Sequence, residues 1–198
     1  LIIKMLENVK DYIFVKNCIP VEICDRMTKD LSRNKWTRHQ WQNYGVVKES
    51  PTFPSTELEV AESYPDQNEI LYPLMGEALK DYQDIIRTNN SFEPFVSNCG
   101  LHIACPVRFN RYTVHTAMRA HHDHIHSLFD GERKGIPILS IVGLLNDNYE
   151  GGNFIFFENY EVVLKKGDIM VFPSIFMFPH RVEHVTKGVR NSFVSWAW

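Results

Sequence analysis

The run His121-His122-Asp123-His124-Ile125-His126 is the densest cluster of potential metal ligands in this 198-residue chain. If residues 119 to 123 are extended, side chains alternate between faces, so His121 and Asp123 project together and His122 points away. A third ligand must then come from a distant strand. His180, in the strand-like run Phe178-Pro179-His180-Arg181-Val182, is the best candidate, with a cation following at Arg190.

Two imidazoles and one carboxylate on one side of an ion make up the facial triad of non-haem Fe(II) oxygenases, which leaves adjacent coordination positions open. A chelating co-substrate and dioxygen can meet there, and the protein must then anchor the far end of the co-substrate. Arg190 suits that task, because a guanidinium is a planar fork matched to a carboxylate. In an extended run from Val189 to Trp198, Arg190, Ser192, Val194 and Trp196 share a face, so Ser192 can add a hydroxyl to the same anion. Asn110 and Tyr112 share a face in the same way, and a tyrosine suits the wall of a small-acid pocket. His122, His124 and His126 read as loop residues at the pocket rim, and Trp196 as both core and site wall. Gly151 and Gly152 read as a turn or a close strand approach, and Ile169 to Phe178 as barrel core.

These residues need a scaffold. Pro20 to Trp36 places Val21, Cys24, Met27, Leu31 and Trp36 near helical spacing behind a helix-start signal, which predicts a helix. Gln67 to Ile86 carries a broad apolar stripe and predicts a second. Between them, Tyr44 to Pro65 contains Gly45, Pro51, Pro54 and Pro65 and reads as a long irregular connection. From about Asn98 onward, short strand-like runs replace the helical pattern, among them Ile138 to Leu145, Phe154 to Phe157, Val162 to Leu164 and Ile169 to Phe172. Helices first and many short strands after predict an α+β chain, mostly β, with N-terminal helices buttressing a barrel. The expected organisation is a single domain over residues 1–198, with a helical support region at 1–96 and a catalytic core at 97–198.

Composition narrows the partners. With 21 Lys+Arg against 24 Asp+Glu the formal charge is −3, and no basic block is present, so nucleic acid is an unlikely partner and repair of alkylated nucleic acid a weak reading. The longest apolar run, Gly135 to Leu145, is interrupted and falls well short of the roughly 20 residues of a membrane helix. Cys18, Cys24, Cys99 and Cys105 lack Cys-x-x-Cys spacing and read as reduced core thiols in a cytoplasmic protein.

The pattern resembles the Fe(II)/2-oxoglutarate-dependent oxygenases, and within them the prolyl hydroxylase-like branch. Asn110-Arg111-Tyr112 before His121-x-Asp123, Leu145-Asn146 and Glu150-Gly151-Gly152-Asn153-Phe154 carry the likeness. So does the string from His180 through Thr186-Lys187-Gly188 to Arg190, and Trp196 sits where hypoxia-type prolyl hydroxylases carry a tryptophan. The resemblance implies a double-stranded β-helix, or jelly roll. It assigns Fe(II) to His121, Asp123 and His180, and the 5-carboxylate of 2-oxoglutarate to Arg190 and Tyr112, with Ser192 added by its facing. It also implies dioxygen as co-substrate and ascorbate as a candidate accessory. The expected activity is C–H hydroxylation, of a prolyl residue in a peptide or protein, with release of succinate and carbon dioxide. The alternatives are hydroxylation of a free amino acid or other small metabolite, and a metal-binding jelly roll without turnover. One departure stands out: Leu144 falls where hypoxia-type enzymes carry a second tyrosine.

Overall fold

The computed structural model describes residues 8–43, 46–48, 54–89, 101, 105–123 and 137–198. Strand β1 (Phe14–Asn17) leads to helix α1 (Val21–Asp30), and β2 (Thr37–Arg38), β3 (Trp41–Asn43), β4 (Val46–Lys48) and β5 (Glu59–Glu62) follow. Helix α2 (Pro65–Asn89) precedes β6 (Arg108–Tyr112), β7 (Met118–His121) and β8 (Leu139–Leu144). The chain continues through β9 (Glu150–Gly151), β10 (Phe154–Phe156), β11 (Tyr160–Val162) and β12 (Asp168–Pro173). It closes with β13 (His180–Val182), β14 (Val185–Lys187) and β15 (Arg190–Ala197).

Two antiparallel sheets face one another: a seven-stranded sheet ordered β1-β12-β8-β15-β6-β5-β2 and a four-stranded sheet ordered β11-β10-β13-β7. Alternation along the strands divides the core in two. Inward residues of the large sheet, Tyr112, Val142, Met170, Phe172, Val194 and Trp196, pack against Met118, Phe154, Phe156 and Val182 of the small sheet. Outward residues Phe109, Ile141, Val171 and Phe193 pack against Met27 and Leu31, and against Leu71, Met75 and Leu79 of α2. This is the expected mostly-β jelly roll with helices against the outside of one sheet.

Local chemistry sets the helix ends. Pro20 precedes α1 and its carbonyl accepts from Ile23 and Cys24. At the start of α2, the Gln67 side chain reaches back to accept the Tyr64 amide at 2.9 Å, which is half of a capping box. Helix α1 is shorter than the predicted Pro20 to Trp36, because the chain tightens into a 3₁₀ turn at Leu31–Arg33. Helix α2 is longer than predicted, passing through Pro73 and ending at Asn89.

The stretch from Tyr44 to Pro65 corrects the sequence reading. It is not wholly irregular: β5 pairs with β6 along four registers, and β4 pairs with β3. Strand β5 lacks a local pattern, because its hydrogen-bond partner β6 lies beyond α2, whereas β4 is the return strand of a short hairpin with β3. Residues 44–45 and 49–53 lie outside the described residues. The predicted Val162 to Leu164 strand sits two residues earlier, since Phe157 (φ 55°) turns the chain and Tyr160 pairs directly with Phe156. Cys18, Cys24 and Cys105 are free thiols, whereas Cys99 lies outside the described residues. Among the described residues no helix is long and apolar enough to cross a membrane.

Candidate active site

Strand β7 ends on His121, the bend that follows delivers Asp123, and β13 opens on His180, which is paired directly with His121 across the small sheet. Cross-strand neighbours stand about 5 Å apart, so one strand pair supplies both imidazoles. The potential ligand atoms of His121, Asp123 and His180 all lie within 4.8 Å of one another. Asp123 Oδ1 is 3.3 Å from His121 Nε2 and 3.8 Å from His180 Nε2. A divalent cation fits such a set, provided both imidazoles present a lone pair at Nε2.

The second contacts of the rings meet that condition. His121 Nδ1 lies 2.8 Å from the Arg119 carbonyl and His180 Nδ1 lies 3.1 Å from the Phe178 carbonyl. A carbonyl only accepts, so each Nδ1 carries the proton and each Nε2 is left as an acceptor. His180 is also held on its faces, stacked on Phe154 at 5.2 Å and met edge-on by Phe172 at 5.0 Å. Burial pushes its imidazole down to about 4 against the pull of Asp123, so the ring is neutral at physiological pH. For Asp123, burial raises the carboxyl, but the His180 and His121 imidazoles and the Ser140 hydroxyl outweigh it and hold the group well below the usual carboxylate range. A neutral His180 and an ionised Asp123 are the protonation states that metal ligands require.

Ser140 went unnoticed in the sequence. Its Oγ donates to Asp123 Oδ2 at 2.5 Å and touches Ser174 Oγ at 2.8 Å. Its inward position, two residues before Val142 and four before Leu144, was the signal that could have found it.

Arg190 opens β15 opposite Tyr112 on β6, and both are 1% exposed. Its guanidinium lies 5.1 Å from the Tyr112 ring centroid, and Nη1 donates to Ser192 Oγ at 2.9 Å. Nε has no partner, and among the described residues no carboxylate is within ion-pairing distance. A buried cation without a counter-charge costs several kcal/mol, which a bound carboxylate would offset. The three residues expected to hold a carboxylate are thus contiguous, although the Tyr112 hydroxyl points to Met118 Sδ at 3.7 Å.

The motif residues between the ligands position this cation. Asn146 donates to the Val189 carbonyl and accepts the Asn191 amide, each at 2.7 Å, and so fixes the backbone on both sides of Arg190. Gly152 has φ 65°, and a Cβ there would stand 2.9 Å from Arg190 Cδ. Gly152 is thus a close approach to the arginine, and Gly151 (φ 75°) a close approach to the His184 carbonyl.

The other histidines separate from this cluster. His122 is exposed, as the alternation predicts, while His124 and His126 lie outside the described residues. Leu144 is fully buried, so no hydroxyl is supplied at that position.

Comparison with known proteins agrees with this geometry. Residues 107–198 match the 2OG-Fe(II) oxygenase superfamily. A PKHD-type hydroxylase of Thermosynechococcus vestitus is 38% identical over 97 residues, covering 46% of this chain and 42% of the relative. One from Aliarcobacter butzleri is 36% identical over 125 residues, covering 59% and 53%. The matched region thus spans about half the length of these curated relatives. Among solved structures, a viral collagen prolyl hydroxylase from Paramecium bursaria Chlorella virus-1 superposes with a TM-score of 0.62 at 16% identity, covering 96% of this chain and 98% of its own. A Pseudomonas putida prolyl-4-hydroxylase gives 0.62 at 16% identity, covering 94% and 91%. The triad, the buried arginine on the inner face of the same barrel and the sequence match agree: residues 107–198 match the 2OG-Fe(II) oxygenase superfamily, and the chain has the fold of the solved prolyl hydroxylases.

Proposed function

We propose that this protein is an Fe(II)- and 2-oxoglutarate-dependent hydroxylase, with Fe(II) held by His121, Asp123 and His180 and the far carboxylate of 2-oxoglutarate held by Arg190, Tyr112 and Ser192. The observation that carries the reading is Arg190: a guanidinium 1% exposed, with an unpartnered Nε, on the inner face of the same barrel as the triad. A dicarboxylic acid that chelates a metal at one end supplies the missing anion at the other. When bound, iron with 2-oxoglutarate and dioxygen supplies the chemistry that inserts oxygen into a C–H bond and yields succinate and carbon dioxide.

The residues of the chain bind and orient. The Phe178 and Arg119 carbonyls fix the tautomers of His180 and His121, and Ser140 aims Asp123 with Oδ1 toward the imidazoles. Arg190 clamps the co-substrate tail by a forked ion pair, with the Tyr112 ring beneath it. Ser192 accepts from Arg190 and keeps its own O–H free to donate to the carboxylate. Phe154, Phe156 and Phe172 surround His180 with apolar surface and keep bulk water from that side of the site.

For the substrate we infer a prolyl residue in a peptide or protein. The fold neighbours named as prolyl hydroxylases support this, among them one from Trichoplax adhaerens in complex with a hypoxia-inducible factor peptide fragment, with a TM-score of 0.61 at 15% identity. The test is succinate release from labelled 2-oxoglutarate with and without Fe(II), followed by mass spectrometry of prolyl peptides for the gain of one oxygen atom. Fe(II)-dependent succinate is the expected result. Metal binding without succinate would overturn the enzyme reading in favour of a binding protein, and succinate with oxygen gained only by free amino acids would move the substrate to small metabolites.

A further inference from the structure

The large sheet points a second arginine into the barrel. Arg108 lies on the same face of β6 as Asn110 and Tyr112, opposite Val194 and four residues along the strand from Tyr112, which is about 13 Å. Its guanidinium lies over the Trp196 ring, 5.3 Å from the centroid. Arg108 Nε is buried without a partner, and so is the indole Nε1 of Trp196. Among the described residues, two buried donors on stacked groups therefore have no acceptor within hydrogen-bond reach. Burial pushes the Arg108 guanidinium down, while Asp123, Tyr112 and Glu62 act in the opposite direction. Neither Asp123 nor Glu62 is within ion-pairing distance of it, and His39 on the connection before β3 also feels its charge.

In the oxygenase reading Arg190 already accounts for the distal carboxylate of 2-oxoglutarate, and Arg108 stands four residues further along the sheet, a backbone separation of about 13 Å. We propose that Arg108, with the indole N–H of Trp196, receives a carboxylate of the molecule to be hydroxylated, so that the substrate is an acid rather than a neutral internal segment of chain. A carboxylate has two oxygens for two donors, and its single charge balances one guanidinium. A phosphate would leave an excess negative charge facing the buried Asp123. The carboxylate can come from a free amino acid or from the terminus of a peptide.

The inference rests on the proposed oxygenase reading, and the two can fail separately. Protein loaded with Mn(II) and saturating 2-oxoglutarate, which occupies Arg190, is titrated calorimetrically with acids and their isosteric amides. The pairs are L-proline and L-prolinamide for the free amino acid, and N-acetyl-L-proline and N-acetyl-L-prolinamide for a chain terminus. Benzoate and benzamide form a third pair that owes nothing to a prolyl substrate. In at least one pair the acid is expected to bind about tenfold more tightly than the amide, as for a hydrogen-bonded charge. Arg108→Gln should abolish the difference and Arg108→Lys should retain part of it. Trp196→Phe, which keeps the ring and removes the donor, should weaken the acid about fivefold. Acids no tighter than amides in every pair, or a preference untouched by Arg108→Gln and by Trp196→Phe, would overturn the proposal. Fe(II)-dependent succinate release on the same preparation reports on the oxygenase reading alone, and the first two pairs separate the two sources of the carboxylate.

Discussion

Ser140 Oγ holds the Oδ2 atom of Asp123 at 2.5 Å, while the Oδ1 atom of the same carboxylate faces His121 and His180. One oxygen is used for orientation and the other is left for a cation. Ser140→Ala is expected to keep the fold but leave Oδ2 buried without a donor, at about 1 to 3 kcal/mol of stability. Loss of such an outer contact weakens metal binding by about 10-fold to 100-fold. Competition titrations with a chelator would read that loss, and unchanged affinity would remove Ser140 from the site.

Arg190→Ala separates the two halves of the candidate centre. Affinity for 2-oxoglutarate is expected to fall by more than about 100-fold, the cost of leaving a buried carboxylate unpaired. Mn(II) affinity measured without the co-substrate should change little, since Arg190 is not among the clustered ligands. Isothermal titration of each ligand separately checks this, and equal losses would contradict the assignment.

Gly152→Ala should act on the same clamp from outside. A Cβ would approach Arg190 Cδ to 2.9 Å, and φ 65° strains any L side chain. The backbone cost alone is about 1 to 2 kcal/mol, visible as a lower unfolding midpoint in urea. A further drop in 2-oxoglutarate affinity would report the displaced guanidinium.

The neutral state of His180 gives the ligand-free protein a signature in pH. Its imidazole is at about 4 in the folded protein against 6.5 ordinarily, with burial as the main cause. Below the ordinary value the unfolded chain binds a proton that the folded chain refuses, so stability falls as pH drops from 6.5 toward 4. The loss expected from His180 is about 1.4 kcal/mol per pH unit in that window, levelling off below it. Asp123, held low, remains ionised throughout. Burial lowers the His39 imidazole to about 3 as well, so urea unfolding of chelator-treated protein from pH 7 to pH 4 should show a slope of about two protons, reduced to about one in His180→Gln.

What was legible in the sequence follows from range. His121 and Asp123 stand two residues apart, and His180, Thr186-Lys187-Gly188 and Arg190 form one string, so type and spacing exposed them. Alternation along β15 foretold that Ser192 would stand beside Arg190, as it does. Ser140, Asn146 and Arg108 have meaning only across strands. Ser140 meets a residue 17 positions away, Asn146 meets one 45 away, and Arg108 finds Trp196 from another strand. The pairing of His121 with His180 was equally invisible, because register is a property of the assembled sheet. The early strands escaped notice for the same reason, since β5 has β6 as its template.

Those early strands bear on how this scaffold can be handled. Strand β1 closes one flank of the large sheet against β12, and β5 with β2 closes the other against β6. The segment that matches the superfamily begins only at residue 107. Excised on its own, it would expose two raw edges and shed the helices that cover Phe109, Ile141 and Phe193, a recipe for edge-to-edge aggregation. The matched segment is therefore not a portable cassette, and grafting or trimming must carry the strands and helices that precede it.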